Sequence, residues 1–542
     1  MRALTGTGRL VRLALRRDRV LLPVWIAAIS GLTAAVVSTY EATVGDAADR
    51  TATAAFAAGN PMARLFDGPA SGTDLPAMAM VEAYQVVAIL TALMCAQAVV
   101  RHTRQDEETG RAELIGSGVV GRHARLTAAL VVTLSATLVL GLAVAAVFTS
   151  AGFGGPGAWA AGMAVAGIGW AFAGIAAVTA QVFSTARGAN AAAGAALGAA
   201  FVLRAVGDLL GDVAESGVVV ISAWPSWLSP IGWGQQVRPY YEDNWWIAAL
   251  FAGLLAVLVT VAFALENHRD VGPGMVGTRP GPARAPRTLR SGLGLAWRLQ
   301  RTIWATWAFG ILALTAAFAS VGESSEDLLA ENEQLAELLT RLAPGASVIE
   351  LFITFVMAFV GIAAGGYVVQ ALLRMRAEEV SGRLEPVLAT AVARHRWLTG
   401  HVLIAYVGIT VMLLAAGVIG GAVYGAMTGS WSQGISDMVA ASAVQAPAAL
   451  ALAGFVVAAF ALVPRWAGAL SWGALAVALV MGQLGALLDL PQWVLNISPF
   501  THVPQVPAET FTAAPVLILL AVAAGLTALG YVVFGRRDLR TT

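Results

Sequence analysis

The chain is 542 residues long, 58% hydrophobic and 12% charged, with a formal net charge of +1. A charged share about half the usual one excludes a water-soluble globule and implies many membrane spans. All 33 basic residues are arginine, and without lysine the chain cannot carry a GxxxxGK[ST] phosphate loop.

The opening stretch, MRALTGTGRLVRLALRRDR, reads as an amphipathic helix leading into the first span. The apolar run behind it is too long for the core of a cleavable signal. A helix needs about 20 apolar residues to cross roughly 30 Å of hydrocarbon. Twelve stretches qualify: 20–40, 78–100, 126–148, 158–182, 191–210, 245–265, 302–320, 349–372, 400–427, 437–463, 468–489 and 513–534. Cys95, alone of its kind, lies in an apolar run, so no disulfide framework is expected. Between the sixth and seventh spans, residues 266–295 are rich in Gly, Pro and Arg with no apolar period, the composition of a mobile linker.

The expected organisation is a first six-span repeat over 1–265 with its N-terminal amphipathic helix, the linker 266–295, and a second six-span repeat over 296–542. Of the 33 arginines, 28 fall in 1–19, 101–125, 266–301, 374–396 and 536–540 or at Arg187 and Arg465. The positive-inside rule then places both termini in the cytoplasm of a plasma-membrane protein. The arginine, alanine and glycine richness points to a GC-rich bacterial genome. On the outer side, Ser324-Ser-Glu-Asp327 opens a helix with a capping box, and Leu328, Leu335, Leu338, Leu339 and Leu342 form a stripe that Pro344-Gly345 ends.

Two segments half the chain apart are the same segment written twice. A shift of 272 aligns Arg104–Thr127 with Arg376–Thr399 without a gap. Identical pairs include Arg104/Arg376, Glu107/Glu379, Gly110/Gly382, Arg111/Arg383, Glu113/Glu385 and Arg122/Arg394. A repeat at this spacing marks a duplicated unit. It extends further: Trp224-Pro-Ser-Trp-Leu-Ser229-Pro230 answers Trp493-Val-Leu-Asn-Ile-Ser498-Pro499 at a shift of 269. Six spans per half is an even number, so the halves run parallel about an axis along the membrane normal. The fold class expected is an all-α polytopic membrane protein of twelve transmembrane helices in two parallel six-helix pseudo-repeats.

Each repeated loop reads as a cytoplasmic extension of a span, a break at Gly110 or Gly382, and a short helix ending near Arg122 or Arg394. Glu107 and Arg111 are four apart, as are Glu379 and Arg383, so each pair is expected on one helical face. Pro386 suits the first turn of a new helix. Such a surface, part apolar and part charged, suits docking onto a soluble partner. Two equivalent loops suit a symmetric pair of partner subunits.

Glu-x-x-Gly-x-Leu-Glu followed by a short helix and Val-x-Arg resembles the first cytoplasmic loop of ATP-binding-cassette exporter permeases. The closer copy is Glu379-Val-Ser-Gly382-Arg-Leu-Glu385-Pro-Val-Leu-Ala-Thr-Ala-Val392-Ala-Arg394. The doubled six-span layout and the Ser-Pro pairs resemble the bacterial polyketide-antibiotic and multidrug exporter branch. The chain departs from that family at Arg111 and Arg383, where a small hydroxyl residue is common, and at Val119 and Ala391, where a proline is. The resemblance implies that 107–122 and 379–394 are coupling elements seated in grooves of a nucleotide-binding subunit, with Glu107, Glu113, Glu379 and Glu385 as polar attachments. It further implies a separate ATPase chain, two copies per permease, binding ATP and Mg. No cofactor, metal or catalytic residue is expected in this chain: the histidines show no ligand spacing, and no nucleophile–base set stands out.

Polar residues inside spans are costly and face a cavity or a partner. Glu82, Gln85, Gln97, Arg204, Glu350 and Gln370 are candidates for a translocation path, and Arg204 and Asp208, four apart, for a pair on one face. Pro447 is expected to kink the tenth span. The Trp- and Pro-rich segments before the sixth and twelfth spans read as interfacial attachment or as an outer gate.

The expected function is the permease subunit of an ATP-driven exporter of hydrophobic or amphipathic small molecules such as antibiotics. The alternatives are export of a lipid or cell-envelope precursor, a membrane enzyme acting on lipid-linked substrates, and an ion-coupled transporter. An enzyme would cluster acids or histidines at a membrane face, and an ion-coupled carrier would place ionisable groups near mid-membrane.

Overall fold

In the computed structural model, residues 3–269, 274–276, 284–319, 348–484 and 491–538 are described. Their apolar runs fold as helices because backbone groups in hydrocarbon must be satisfied within the segment. Among the described residues, eleven helices are long and apolar enough to cross a membrane. The protein is an all-α polytopic membrane protein, with one two-residue β-ribbon that the helical expectation lacked. The chain divides into two compact units, Met1–Pro280 and Gly281–Thr542.

In the first unit, α1 (Thr7–Arg17) is amphipathic and lies against α8 (Ala124–Ser150). Asp18 ends it, paired with Arg101 and His102 at the end of α5 (Leu75–His102). The first span, α2, is Leu21–Thr43. The bundle continues with α9 (Pro156–Val182), α10 (Ala186–Leu209) and α12 (Ile247–Asn267). Burial is uneven: 72% of the apolar stretch of α5 and 78% of that of α9 are buried, against 22% for α2 and 17% for α12. The second and fourth spans therefore form the core, and the first and last face lipid. Helices α8 and α9 touch backbone to backbone, since a Cβ on Gly141 would lie 2.6 Å from the Gly162 carbonyl oxygen. Small residues at such crossings supply the packing that water would drive in a soluble protein.

The outer segment between the first two spans is structured. Helix α3 (Ala47–Gly59) is capped by Asp46, whose carboxylate accepts from the amides of Ala48 and Asp49. Helix α4 (Pro61–Phe66) follows. Ser71 bridges to Val219 beside the ribbon β1 (Asp212–Val213) and β2 (Val220–Ile221). The Ser-Pro pairs prove to be helix starts. The Ser229 hydroxyl accepts from the amides of Ile231 and Gly232 at the start of α11 (Pro230–Gln236), and Ser498 accepts from Phe500 before a 3₁₀ turn. Both follow from proline's place in a first turn, where no amide is missed.

In the second unit, α13 (Gly292–Ala319) starts ten residues before the expected 302. It is continuous where the first unit breaks at Asp18. Then come α14 (Val348–Val380), α16 (Arg394–Thr428), α17 (Trp431–Ala443), α18 (Ala446–Leu462), α19 (Ala467–Leu479) and α21 (Ala513–Arg536). Two short helices, α15 (Leu384–Leu388) and α20 (Gln492–Leu495), are also present among the described residues. The expected tenth span breaks at Val444–Gln445, which puts Pro447 in the first turn of α18. Of the expected eleventh span, α19 and a π turn over Val480–Leu484 are seen, and 485–489 lie outside the described residues. The leucine-striped segment 324–344 lies outside them as well. The linker is described in part: the Val276 amide donates to the Val182 carbonyl at 2.9 Å, fastening it beside the turn that ends α9.

Candidate functional site: the duplicated loops

Both loops turn on a glycine. Gly110 (φ +73°) and Gly382 (φ +69°) are left-handed, a conformation that costs an L-residue about 1–2 kcal/mol. In the first unit, α6 (Arg104–Glu108) precedes the turn and α7 (Arg111–Gly116) follows it. In the second, α14 runs to Val380 and α15 follows. The short helices are shorter than the expected 107–122 and 379–394. Gly116 and Gly118 end the first early, and Arg394 already belongs to the next span.

The glycine break corrects one expectation. Glu107 and Arg111 do not share a helical face, nor do Glu379 and Arg383, because the chain reverses between them. The arginines instead meet Asp106 at 3.7 Å and Glu378 at 3.9 Å, aligned positions in the two copies. Those acids carry closer bonds from elsewhere, Arg17 to Asp106 at 2.7 Å and Arg374 to Glu378 at 2.7 Å.

Glu107 and Glu379 face inward, their side chains 3% and 2% exposed. Glu107 holds Arg104 at 2.8 Å and Arg125 at 3.2 Å, and takes a forked bond from Arg269 at 2.8 and 2.9 Å. Glu379 lies 3.6 Å from Arg376 and takes Arg537 Nη2 on both oxygens, at 3.0 and 2.9 Å. Arg269 lies two residues past the last helix of its unit, and Arg537 lies one past its own. The link is returned: Arg122 donates to the carbonyls of Glu266, Asn267 and Arg269, at 2.6, 3.0 and 3.1 Å, and Arg394 donates to the Arg537 carbonyl at 2.6 Å. The fourth span joins both clusters. Arg104 donates to the Ala180 carbonyl and Arg269 to the Gln181 side chain, while Arg537 donates to the Phe460 carbonyl.

At one aligned position the difference between the units falls inside the cluster. Arg125 of the first corresponds to Trp397 of the second. Around Arg125, Arg122, Arg269, Glu107 and Glu266 lies a cavity of about 320 Å³. In the second unit Trp397 packs on Phe460 and Phe534, and the Arg537 guanidinium lies 5.1 and 5.5 Å from those two rings.

Glu113 and Glu385 point outward and are exposed. Leu114 is 77% and Val119 68% exposed in the first loop and Val380 58% in the second, and Arg111 and Arg383 are likewise open. Each loop therefore has a fixed charged inner face and an outer face on which acid, guanidinium and apolar groups mix. The sequence reading missed Arg269 and Arg537, taking them only as part of the basic bias at span ends. Their signal was available: they stand 268 apart, almost the shift of the Ser-Pro pair.

Within the first unit, Glu82, Gln85 and Arg204 gather around Asp67, and Gln97 lies apart from them. Arg204 and Asp208 are fully buried and pair at 3.3 Å, as their spacing predicts. Arg204 also donates to the carbonyls of Arg64 and Leu65, tying the outer segment to α10, and Asp208 accepts from Ser222. Gln85 is buried nearby and donates to the Asp67 carbonyl at 3.3 Å. Glu82 is exposed and accepts from the Tyr40 hydroxyl. Gln97 is exposed beside a cavity of about 70 Å³ between α5, α9 and α10. In the second unit, Gln370 accepts from the Trp307 indole and Glu350 is half-buried at the start of α14. Asp67 has a distinct environment. Burial and the nearby Glu82 push its carboxyl up to about 7, against the lowering pull of Arg204.

The family described as "Multidrug efflux system permease Rv1217c, C-terminal domain" matches residues 289–535. Over 540 residues the chain is 38% identical to the multidrug efflux system permease protein Rv1217c of Mycobacterium tuberculosis, covering 99% of this chain and 96% of that protein. Likeness of that extent, end to end, makes this chain a member of the Rv1217c family of multidrug efflux system permeases.

Proposed function

We propose that the chain is the membrane subunit of an ATP-driven exporter that moves hydrophobic or amphipathic small molecules outward, with a separate ATPase docking on the two loops. One observation carries the loop assignment. Two aligned loops keep their inner carboxylate tied to the last helix of their own unit and present exposed Glu113 or Glu385 beside open apolar and guanidinium groups. Solvated span ends need neither the fixed inner face nor its repetition. The mycobacterial relative's name supports the cargo class.

Direct attachment to the partner then falls to Glu113 and Glu385, and Glu107 and Glu379 hold the loop's shape. With no lysine, the chain leaves ATP and Mg to its partner, and two loops call for two ATPase copies. Mass spectrometry of the co-expressed complex should show two ATPase chains per permease. Glu113→Arg with Glu385→Arg should lower recovery of the ATPase about tenfold or more, the scale of one or two lost charge-assisted bonds. Full recovery, with dye efflux intact, would overturn the docking assignment.

A further inference from the structure

We propose that each loop drives the last span of its unit through a two-way clasp, Glu107–Arg269 with Arg122 in the first unit and Glu379–Arg537 with Arg394 in the second. This rests on the reading of the loops as docking sites and adds the route by which a docked partner moves the membrane part.

Three observations converge. First, the clasp is closed in both directions: a loop carboxylate holds the guanidinium beyond the last span, and a guanidinium at the loop's end holds the backbone there. Rotating one side chain does not release it. Second, the last spans have few other attachments. Only 17% of the apolar stretch of α12 and of α21 is buried, and each leans mainly on the fourth span of its unit, α9 or α18. Third, the cluster also grips that fourth span, through the Ala180 carbonyl and Gln181 side chain or the Phe460 carbonyl. Loop, fourth span and last span thus meet at one buried knot, and a pull on the loop reaches both helices together. Charged bonds screened from water are suited to this, because they lose little strength to solvent or salt.

The test uses the full permease with its ATPase in lipid nanodiscs. Spin labels at Leu114→Cys and Val261→Cys report loop to last span; labels at Leu114→Cys and Val24→Cys report loop to first span. The native Cys95 is buried and stays unlabelled. On trapping the ATPase in its nucleotide-closed state, the first distance should stay fixed and the second should change. In Glu107→Gln the first distance should broaden or shift, and drug-stimulated ATPase kcat should fall about tenfold, the scale of one lost charge-assisted bond, while the amount of ATPase bound stays unchanged. Arg269→Gln should behave alike, and the double variant should be no worse than either single one.

If Glu107→Gln does not fold, Arg269→Lys, which keeps the charge and loses the fork, should show a smaller shift in the same direction. Bound ATPase with an unchanged loop-to-last-span distance and full stimulation in these variants would overturn the clasp. Failure of the wild-type permease to bind ATPase would instead overturn the docking reading, so the two failures are distinct.

Discussion

At the scale of single residues, the outer part of the first unit holds a carboxyl out of its ordinary range. Asp67 sits between α4 and α5, with burial and Glu82 raising it to about 7 and Arg204 opposing them. Its folded value exceeds the unfolded one, about 3.9. Below pH 4 it is protonated in both states and contributes no difference. As pH rises toward 7, the unfolded chain ionises and the folded one resists, so stability falls. Above 7 the loss is complete and constant. The wild type should therefore lose thermal stability relative to Asp67→Asn between about pH 4 and 7, measured in detergent, and run parallel to it above. A constant difference from pH 4 to 8 would mean that Asp67 is open to water. Residue-scale legibility depends on separation along the chain. The Arg204–Asp208 pair could be read from four-residue spacing. Glu107 with Arg269 could not, because 162 residues separate them and only folding brings the last span's end back to the loop.

At the scale of elements, the spans were the most legible feature, since hydrocarbon leaves the backbone few alternatives. Their ends were less so. Helix α13 begins ten residues early because Arg298 and Arg301 continue a helix that leaves the membrane, and hydropathy does not register such a continuation. The ribbon and the helices of the outer segment escaped for a related reason: they are held by Asp46 capping, the Ser71–Val219 bridge and Arg204, none of them a periodic signal. The loop helices were foreseen but drawn too long, and the two glycines decide their shape. Replacing Gly110 or Gly382 with Ala leaves no steric clash, because nothing lies within 4 Å of an added Cβ. The strain is then purely conformational, about 1–2 kcal/mol for a left-handed alanine. Gly110→Ala should loosen α7, and Gly382→Ala should loosen α15. Each should raise amide exchange across its own short helix by roughly tenfold and leave the flanking spans protected. Unchanged exchange would show that another conformation serves the turn equally well.

At the scale of the whole molecule, the number of crossings can be argued from the clasps. Arg269 lies beyond α12 and reaches the loop that begins the path to α8. Between them α8, α9, α10 and α12 cross, an even number, as a shared side requires. In the second unit Arg537 reaches Glu379, and it also reaches the carbonyl of Phe460 near the end of α18. That loop, the end of α18 and the end of α21 then share one membrane face. Helix α21 has 24 residues, about 36 Å at 1.5 Å per residue, so its start lies on the opposite face. We therefore propose one crossing between Leu462 and Ala513, made by α19 with its π turn. Eleven long helices are seen among the described residues; on the proposed crossing the count would be twelve and the C-terminus would lie on the side of the loops. By the positive-inside rule the arginine-rich side is expected to be the cytoplasmic one. Single cysteines at Leu114, Val380 and Asp538 should therefore react with an impermeant maleimide only after cells are opened, whereas Trp224→Cys and Trp493→Cys should react in intact cells. Reaction of Asp538→Cys from outside, with Leu114→Cys still protected, would reduce the count to eleven and would be incompatible with the Arg537–Glu379 bond in the membrane.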